Sequence, residues 1–483
     1  MEKWKITIPN FNGGFAPGWW YSDYPSYGNV NMAGKMQNCD ITDPAFLTQG
    51  PGLAALENGT DAGAVSTLIK GISIIPSSAN LGFAVGGNKL YEITATAVSV
   101  NASNPVLPHT IDKATVTGED GEDVCYFQGT LYYSYNHSGN HGDVGKYDLT
   151  RDNDNDFDDD WLSTIPTGKF TLTNNPHPMI SAGNGFMYIA DGRNVASWDG
   201  AIAVSADLDL PLNSVIVDLE WAQNKLWIAV NRPNLTGLNK NISSIYVWDG
   251  EADSWEDEIQ VLGKIGALYV KNGILFVFYQ DISFTGGYKL GYINGLTIVD
   301  LCHFKGALPS YYQVSDYQDL LLWIGSDAIY AWGSGGKDIP VKSFQLADGG
   351  YSTVGGLGNL FGTPFVASNQ STSYKICKFS GYDTNSNWKS LMFQVGKGKI
   401  DKMIVYCDTL GTNARADFTI KYDRGRGTNT AGLNLTETSI NRKEFMIGQK
   451  IDNDFRVEVS FANGSASNPV KINRIEIYGE RYD

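Results

Sequence analysis

Residues 219–230, LEWAQNKLWIAV, hold two short apolar and aromatic runs on either side of Gln223-Asn224. Two such runs around a polar or glycine pair make the pattern of a β-hairpin. Side chains alternate across a strand, and a tight turn needs residues that tolerate a left-handed backbone. The layout recurs as FAVGGNKLYEI around Asn88, CYFQGTLYYSY around Gly129 and ISAGNGFMYIA around Gly185. It continues as LYVKNGILFVF around Gly273, VSDYQDLLLWIG around Asp319 and VGGLGNLFGTPFVAS around Asn359. In chain order the seven anchors lie 41, 56, 39, 49, 46 and 40 residues apart. A four-stranded propeller blade takes roughly 40 to 50 residues, so the repeat predicts an all-β chain built on a seven-bladed β-propeller over residues 61–380. The long interval predicts an insertion.

A third strand ending in an aromatic and a turn often follows each hairpin, as in VASWDG (Trp198), IYVWDG (Trp248), IYAWG (Trp332) and GKYDL (Tyr147). A blade cannot cover both of its faces alone, so these aromatics are expected to fill the space between stacked neighbours. Beyond about Gly381 the repeat stops. KSLMFQV (389–395), KMIVYC (402–407), ADFTIKYD (416–423), FRVEVSF (455–461) and INRIEIYG (472–479) alternate cleanly, which predicts a jelly-roll-like β-sandwich over 381–483. Residues 1–60 are left as an N-terminal segment for subunit or partner contact.

Composition agrees: 54 Gly, 26 Tyr and 12 Trp in 483 residues suit a turn-rich strand protein. The five cysteines are far apart and form no Cys-x-x-Cys pair, so they are expected as reduced, buried residues. The opening MEKWKITIPNFNGG has no apolar secretory core, and no run approaches the ~18 apolar residues of a membrane span. The chain is therefore expected to be made in a cytosol, to stay soluble and to meet no membrane. Its net charge of −16 is uneven: residues 381–483 hold 15 Lys and Arg against 13 Asp and Glu, leaving 21 basic and 39 acidic groups in residues 1–380. Such a body cannot bind nucleic acid by its general surface, although an acidic wall can repel it. The opposite balance of the two parts suggests that they touch.

No catalytic motif is recognisable. Asp152, Asp154, Asp156 and Asp158 alternate as in a calcium loop, which makes Ca2+ the only candidate cofactor. Phe157 stands where that loop needs Gly, however, and Ser163 where it needs Glu, so a solvated inter-strand loop is the better reading. His137 and His141 have metal spacing for a helix but lie in a Gly/Asn/Ser turn, and Cys302-His303 are adjacent on a strand, facing opposite sides. The sialidase Ser-x-Asp-x-Gly box is missing.

Residues 8–56, IPNFNGGFAPGWWYSDYPSYGNVNMAGKMQNCDITDPAFLTQGPGLAAL, show an early Gly-Gly, a Tyr-Pro, an Asn-rich middle and a hydrophobic residue before Gly-Pro-Gly-Leu. This layout resembles the opening of the tail nozzle, or tail-tube, β-propeller proteins of short-tailed bacteriophages, with Gln49-Gly50 in place of the common Arg before Pro51. The resemblance implies a non-enzymatic virion protein of the tail that assembles as a homo-oligomeric ring below portal and adaptor proteins. It would line part of the DNA exit channel, near the genome without binding it specifically. Trp19, Trp20, Tyr21, Tyr24 and Tyr27 would then make partner contacts, since interfaces favour such aromatics. A receptor- or carbohydrate-binding virion protein is the alternative, and a propeller glycosidase a more distant one.

Overall fold

A computed structural model of the chain describes residues 2–11, 33–37, 39–40, 46–50, 52–58, 68–74, 81–94, 97–98, 109–111, 119–137, 141–149, 157–173, 175–233, 242–282, 286–325, 328–333, 341–345, 351–370, 373–380, 386–462 and 469–482. They form seven sheets in a ring, antiparallel apart from one outer pair in blade one, and two further sheets that face each other. The first strands of the blades are Gly71–Ile74, Asp120–Phe127, Met179–Ser181, Val215–Ala222, Ile265–Lys271, Val314–Tyr317 and Tyr351–Leu360. Each touches the next, and the last touches the first, so the circle is closed.

Five of the seven hairpin anchors sit in turns between the first and second strands of a blade, Asn359 lies inside such a strand just before its Phe361-Gly362 turn, and the Gly87-Asn88 turn joins the second and third strands of blade one. Four turns place both central residues at positive φ: Gln128/Gly129, Gln223/Asn224, Asn272/Gly273 and Phe361/Gly362. That geometry matches the right-handed twist of the flanking strands. At the closing joint, Gly355 and Gly356 lie against blade one so tightly that a Cβ would fall 2.0 Å from the carbonyl oxygens of Ile69 and Lys70. The Gly-Gly of VGGLGN is thus required for the last blade to meet the first.

Apolar clusters lie between successive blades. Tyr188, Leu226, Tyr246 and Trp248 fill the gap between blades three and four, for instance, and Phe278, Tyr288, Trp323 and Tyr330 that between five and six. Trp198 and Trp248 of the two Trp-Asp-Gly turns are buried in such gaps, as packing requires. Their neighbours Asp199 and Asp249 cap the turns, each accepting two main-chain N–H groups at 2.7–3.0 Å.

The described residues among 1–60 pair with strands of both units. Glu2–Ile8 pairs with Lys471–Arg481, Ala33–Gln37 with Asn387–Ser390, and Leu47–Gln49 with the start of 471–481, all within the sandwich. Gly52–Ala55 then supplies the outer strand of blade seven, pairing with Ser373–Ser380. The sandwich sheets enclose Trp388, Phe418, Val457, Met403 and Ile475, and this core runs on into Leu320, Leu322, Ile329 and Val366 of blades six and seven. The two units meet through apolar packing, not through charge alone. All five cysteines are free, and four are buried.

Candidate functional site

The first strands of the blades crowd acids and cations around the ring's centre. Asp123 accepts the N–H groups of Val124 and of Met179 in the next blade, both at 2.8 Å. Asp218 repeats the device two blades on, accepting Leu219 N–H at 2.8 Å and Leu268 N–H at 2.6 Å. Both residues follow a register shift in their strand, after Gly121 and after Ile216, and the extra residue of such a bulge re-aims a side chain. Glu220 is held by the N–H groups of Trp221 and Val270. Asn231 completes the joint between blades four and five, donating to the Ile265 carbonyl and accepting its N–H, each at 2.8 Å.

Cations complete the set. Lys70 pairs with Asp120 at 2.6 Å and Glu122 at 2.7 Å, and Asn136 donates to the same Glu122 oxygen at 3.1 Å. Lys271 donates to the Gln318 carbonyl at 2.8 Å, while Tyr269 donates to Asp316 at 3.1 Å. Tyr311, just ahead of blade six, donates its hydroxyl to the Glu122 carbonyl of blade two at 3.0 Å. Blades two and six are not neighbours, so this bond crosses the centre of the ring.

Burial raises Asp123 to about 7 and Glu220 to about 8 and pushes Asp218 well above the usual carboxylate range, because loss of water penalises the charged form. Carboxyls poised near neutrality are what a general acid needs. Here the same groups are bonded to the main chain of the next blade, and Tyr311 lies near Asp123 and Asp218. The arrangement is chemically that of an inter-blade clamp.

The acidic insertion belongs to blade two. Asp152, Asp154 and Asp156 lie outside the described residues. Asp158 is exposed and pairs with Lys146 along a short strand, while Phe157 is buried between Tyr147 and His109, with ring centroids 4.3 and 3.8 Å away. Asp159 accepts His109 and Tyr133, each at 2.6 Å, and Asp160 accepts Tyr135 at 3.0 Å. The expected solvated loop is therefore stapled at its described end: Phe157, out of place in a calcium loop, is the anchor. His137 and His141 stack with ring centroids 4.4 Å apart. Among the described residues no group of three or more side chains could hold a metal ion. Trp19, Trp20, Tyr21, Tyr24 and Tyr27 lie outside the described residues.

The axial acids escaped the reading of the sequence, although a signal exists: Asp123 and Asp218 each stand six residues before the turn anchor of their blade, at Gly129 and Asn224.

No family model matches the chain. No curated protein matches it. Among solved structures, the chain is similar to YCF48 from Cyanidioschyzon merolae, with 13% identity over 68% of this chain and 98% of that one and a TM-score of 0.42. It is similar to a glucose dehydrogenase at 11% identity over 68% and 99% of the two chains, with a TM-score of 0.36. It is also similar to exo-beta-1,3-galactanase from Phanerochaete chrysosporium at 8% identity over 65% and 99%, with a TM-score of 0.30. The strand pairing itself defines the architecture: a seven-bladed β-propeller whose first and last residues are woven into one β-sandwich.

Proposed function

We propose that the chain is a structural, non-enzymatic protein of a bacteriophage tail, assembling as a ring that forms part of the nozzle through which the genome leaves. The observation that carries this reading is the weaving of the N-terminal segment. The stretch that resembles tail nozzle openings runs through the sandwich at 33–37 and 47–49 and then closes blade seven at 52–55. A chain tied at both units resists being pulled apart, which suits a channel under load. The bond from Tyr311 across the axis supports a path for DNA between subunits instead of through the propeller. The 39 acidic against 21 basic groups of residues 1–380 would keep such a path from holding DNA. Mass photometry of the purified protein, with immuno-electron microscopy of virions, tests this: rings and label at the tail axis are expected. A monomer missing from particles would overturn it.

The carbohydrate-binding alternative draws on a concavity of about 460 Å³ at one end of the sandwich. Glycan retention without virion incorporation would favour it.

A further inference from the structure

The 460 Å³ concavity lies between two adjoining turns of the sandwich, 422–427 and 452–454. Its frame is rigid for a reason written in the backbone. Asp423, Arg424 and Gly425 follow one another at φ 52°, 54° and 81°, a left-handed run that two of these residues adopt only at a cost. Reciprocal bonds hold it there. The Asp423 carboxylate accepts the N–H groups of Asp452 at 2.9 Å and Asn453 at 3.1 Å, while the Asp454 carboxylate accepts Arg424 N–H at 2.8 Å. A Cβ on Gly427 would fall 2.1 Å from the Tyr422 ring, so the bare glycine lets that ring lie flat beside the opening.

The charges left over point outward. Asp423 and Asp454 are taken up by main-chain N–H groups, and Asn453 donates to the second Asp454 oxygen at 3.3 Å. The Arg424 side chain is 76% exposed, with its Nε 3.9 Å from Asp454. Arg426 is exposed and has no carboxylate partner among the described residues. Strain spent on presenting an exposed arginine has no return in packing.

We infer that this concavity is a binding site for a saccharide that carries a carboxylate, such as a uronic or sialic acid unit of a surface polysaccharide. Arg424 and Arg426 offer planar donor forks that match a carboxylate, the Tyr422 ring offers an apolar face for the sugar, and Asp452 and Asn453 offer hydroxyl partners. The inference does not rest on the nozzle reading, since ring assembly and sugar binding are measured separately.

Calorimetric titration of the full chain with galacturonate, glucuronate and sialyl oligosaccharides tests it, with the methyl esters of the same sugars and a dT oligonucleotide as controls. At least one acidic oligosaccharide should bind, at least tenfold more tightly than its methyl ester and than the oligonucleotide. Arg426→Gln and Arg424→Gly should each weaken it at least tenfold. Arg424→Gly removes the guanidinium while suiting the positive φ, so its melting temperature should equal or exceed that of the parent. No binding by any of these acids, equal binding of an ester, tighter binding of the oligonucleotide, or unchanged affinity in both variants would overturn the proposal.

Discussion

The propeller axis and the sandwich turn use one device in two settings. In each, aspartates accept main-chain N–H groups from a neighbouring element: Asp123 and Asp218 join blades, and Asp423 and Asp454 join turns. At the axis Asp218 is buried and Asp123 half-buried, and loss of water lifts Asp123 to about 7. At the turn Asp423 keeps part of its surface in water, and arginines project past it. Asp454 is as buried as Asp218, so what separates the two is the surroundings: other blades close over the axial clasp, while exposed arginines flank the one at the turn.

The contrast can be strained from several directions. The largest effect should come from removing residues 1–10, which strips Ile8 and Phe11's approach to the sandwich core and bares the long edge of strand 471–481. Burial of a large apolar side chain contributes roughly 1.5–3 kcal/mol, so with Trp4 and Ile6 also lost, the sandwich should become the protease-sensitive part while propeller fragments persist. Proteolysis followed by mass spectrometry reads this, and equal cleavage of both units would show that the strap is dispensable.

Next come Asp218→Asn and Asp423→Asn. At Asp218 each carboxylate oxygen accepts one main-chain N–H, so the amide turns a donor toward a donor in a buried site, whereas at Asp423 one oxygen accepts both N–H groups and an amide can keep them. A loss of about 2–3 kcal/mol is expected at Asp218 and about 1 kcal/mol or less at Asp423, by denaturant unfolding. Equal losses would erase the distinction.

The pH dependence has a definite sign. Asp123 and Glu220 have folded values raised to about 7 and about 8, so between the ordinary carboxylate range and those values the folded chain holds protons that the unfolded chain has released. That stabilisation is full below the ordinary carboxylate range, falls as pH rises from there, and is gone by about pH 7 to 8. The melting temperature should fall across this window, and Asp123→Asn/Glu220→Gln should flatten the slope relative to the parent. An unaltered slope would show that these groups do not titrate there. Tyr311→Phe should cost about 1 kcal/mol by the same denaturant measurement, as one cross-axis bond is deleted.

Much of the ring was legible because hairpins are local. Gln223-Asn224 and Asn272-Gly273 announce turns that need positive φ, and the apolar runs beside them can only be strands. The phase of blade one was less legible, since Gly87-Asn88 makes the same signal between a different pair of strands. Non-local pairing left the weakest trace. Trp4, Ile6 and Ile8 alternate with Lys3, Lys5 and Thr7, which marks a strand, but nothing local says that its partner is 475–481. Of the sandwich site, Asp423-Arg-Gly-Arg-Gly427 was readable as a turn, whereas its clasp with 452–454 depends on two hairpins meeting in space. Phe157 misled for the opposite reason: a run of aspartates suggests a solvated loop, and one aromatic in it pins its end to blade two.

The strand Gly52–Ala55 has to wait for its partner Ser373–Ser380, which leaves the ribosome more than 300 residues later. At about 5–20 residues per second that delay is on the order of tens of seconds, and Glu2–Ile8 waits longer still for 471–481. Strands made early are thus among the last to find their partners. A product that stops before Ser373 carries an open ring and an unpaired leading strand.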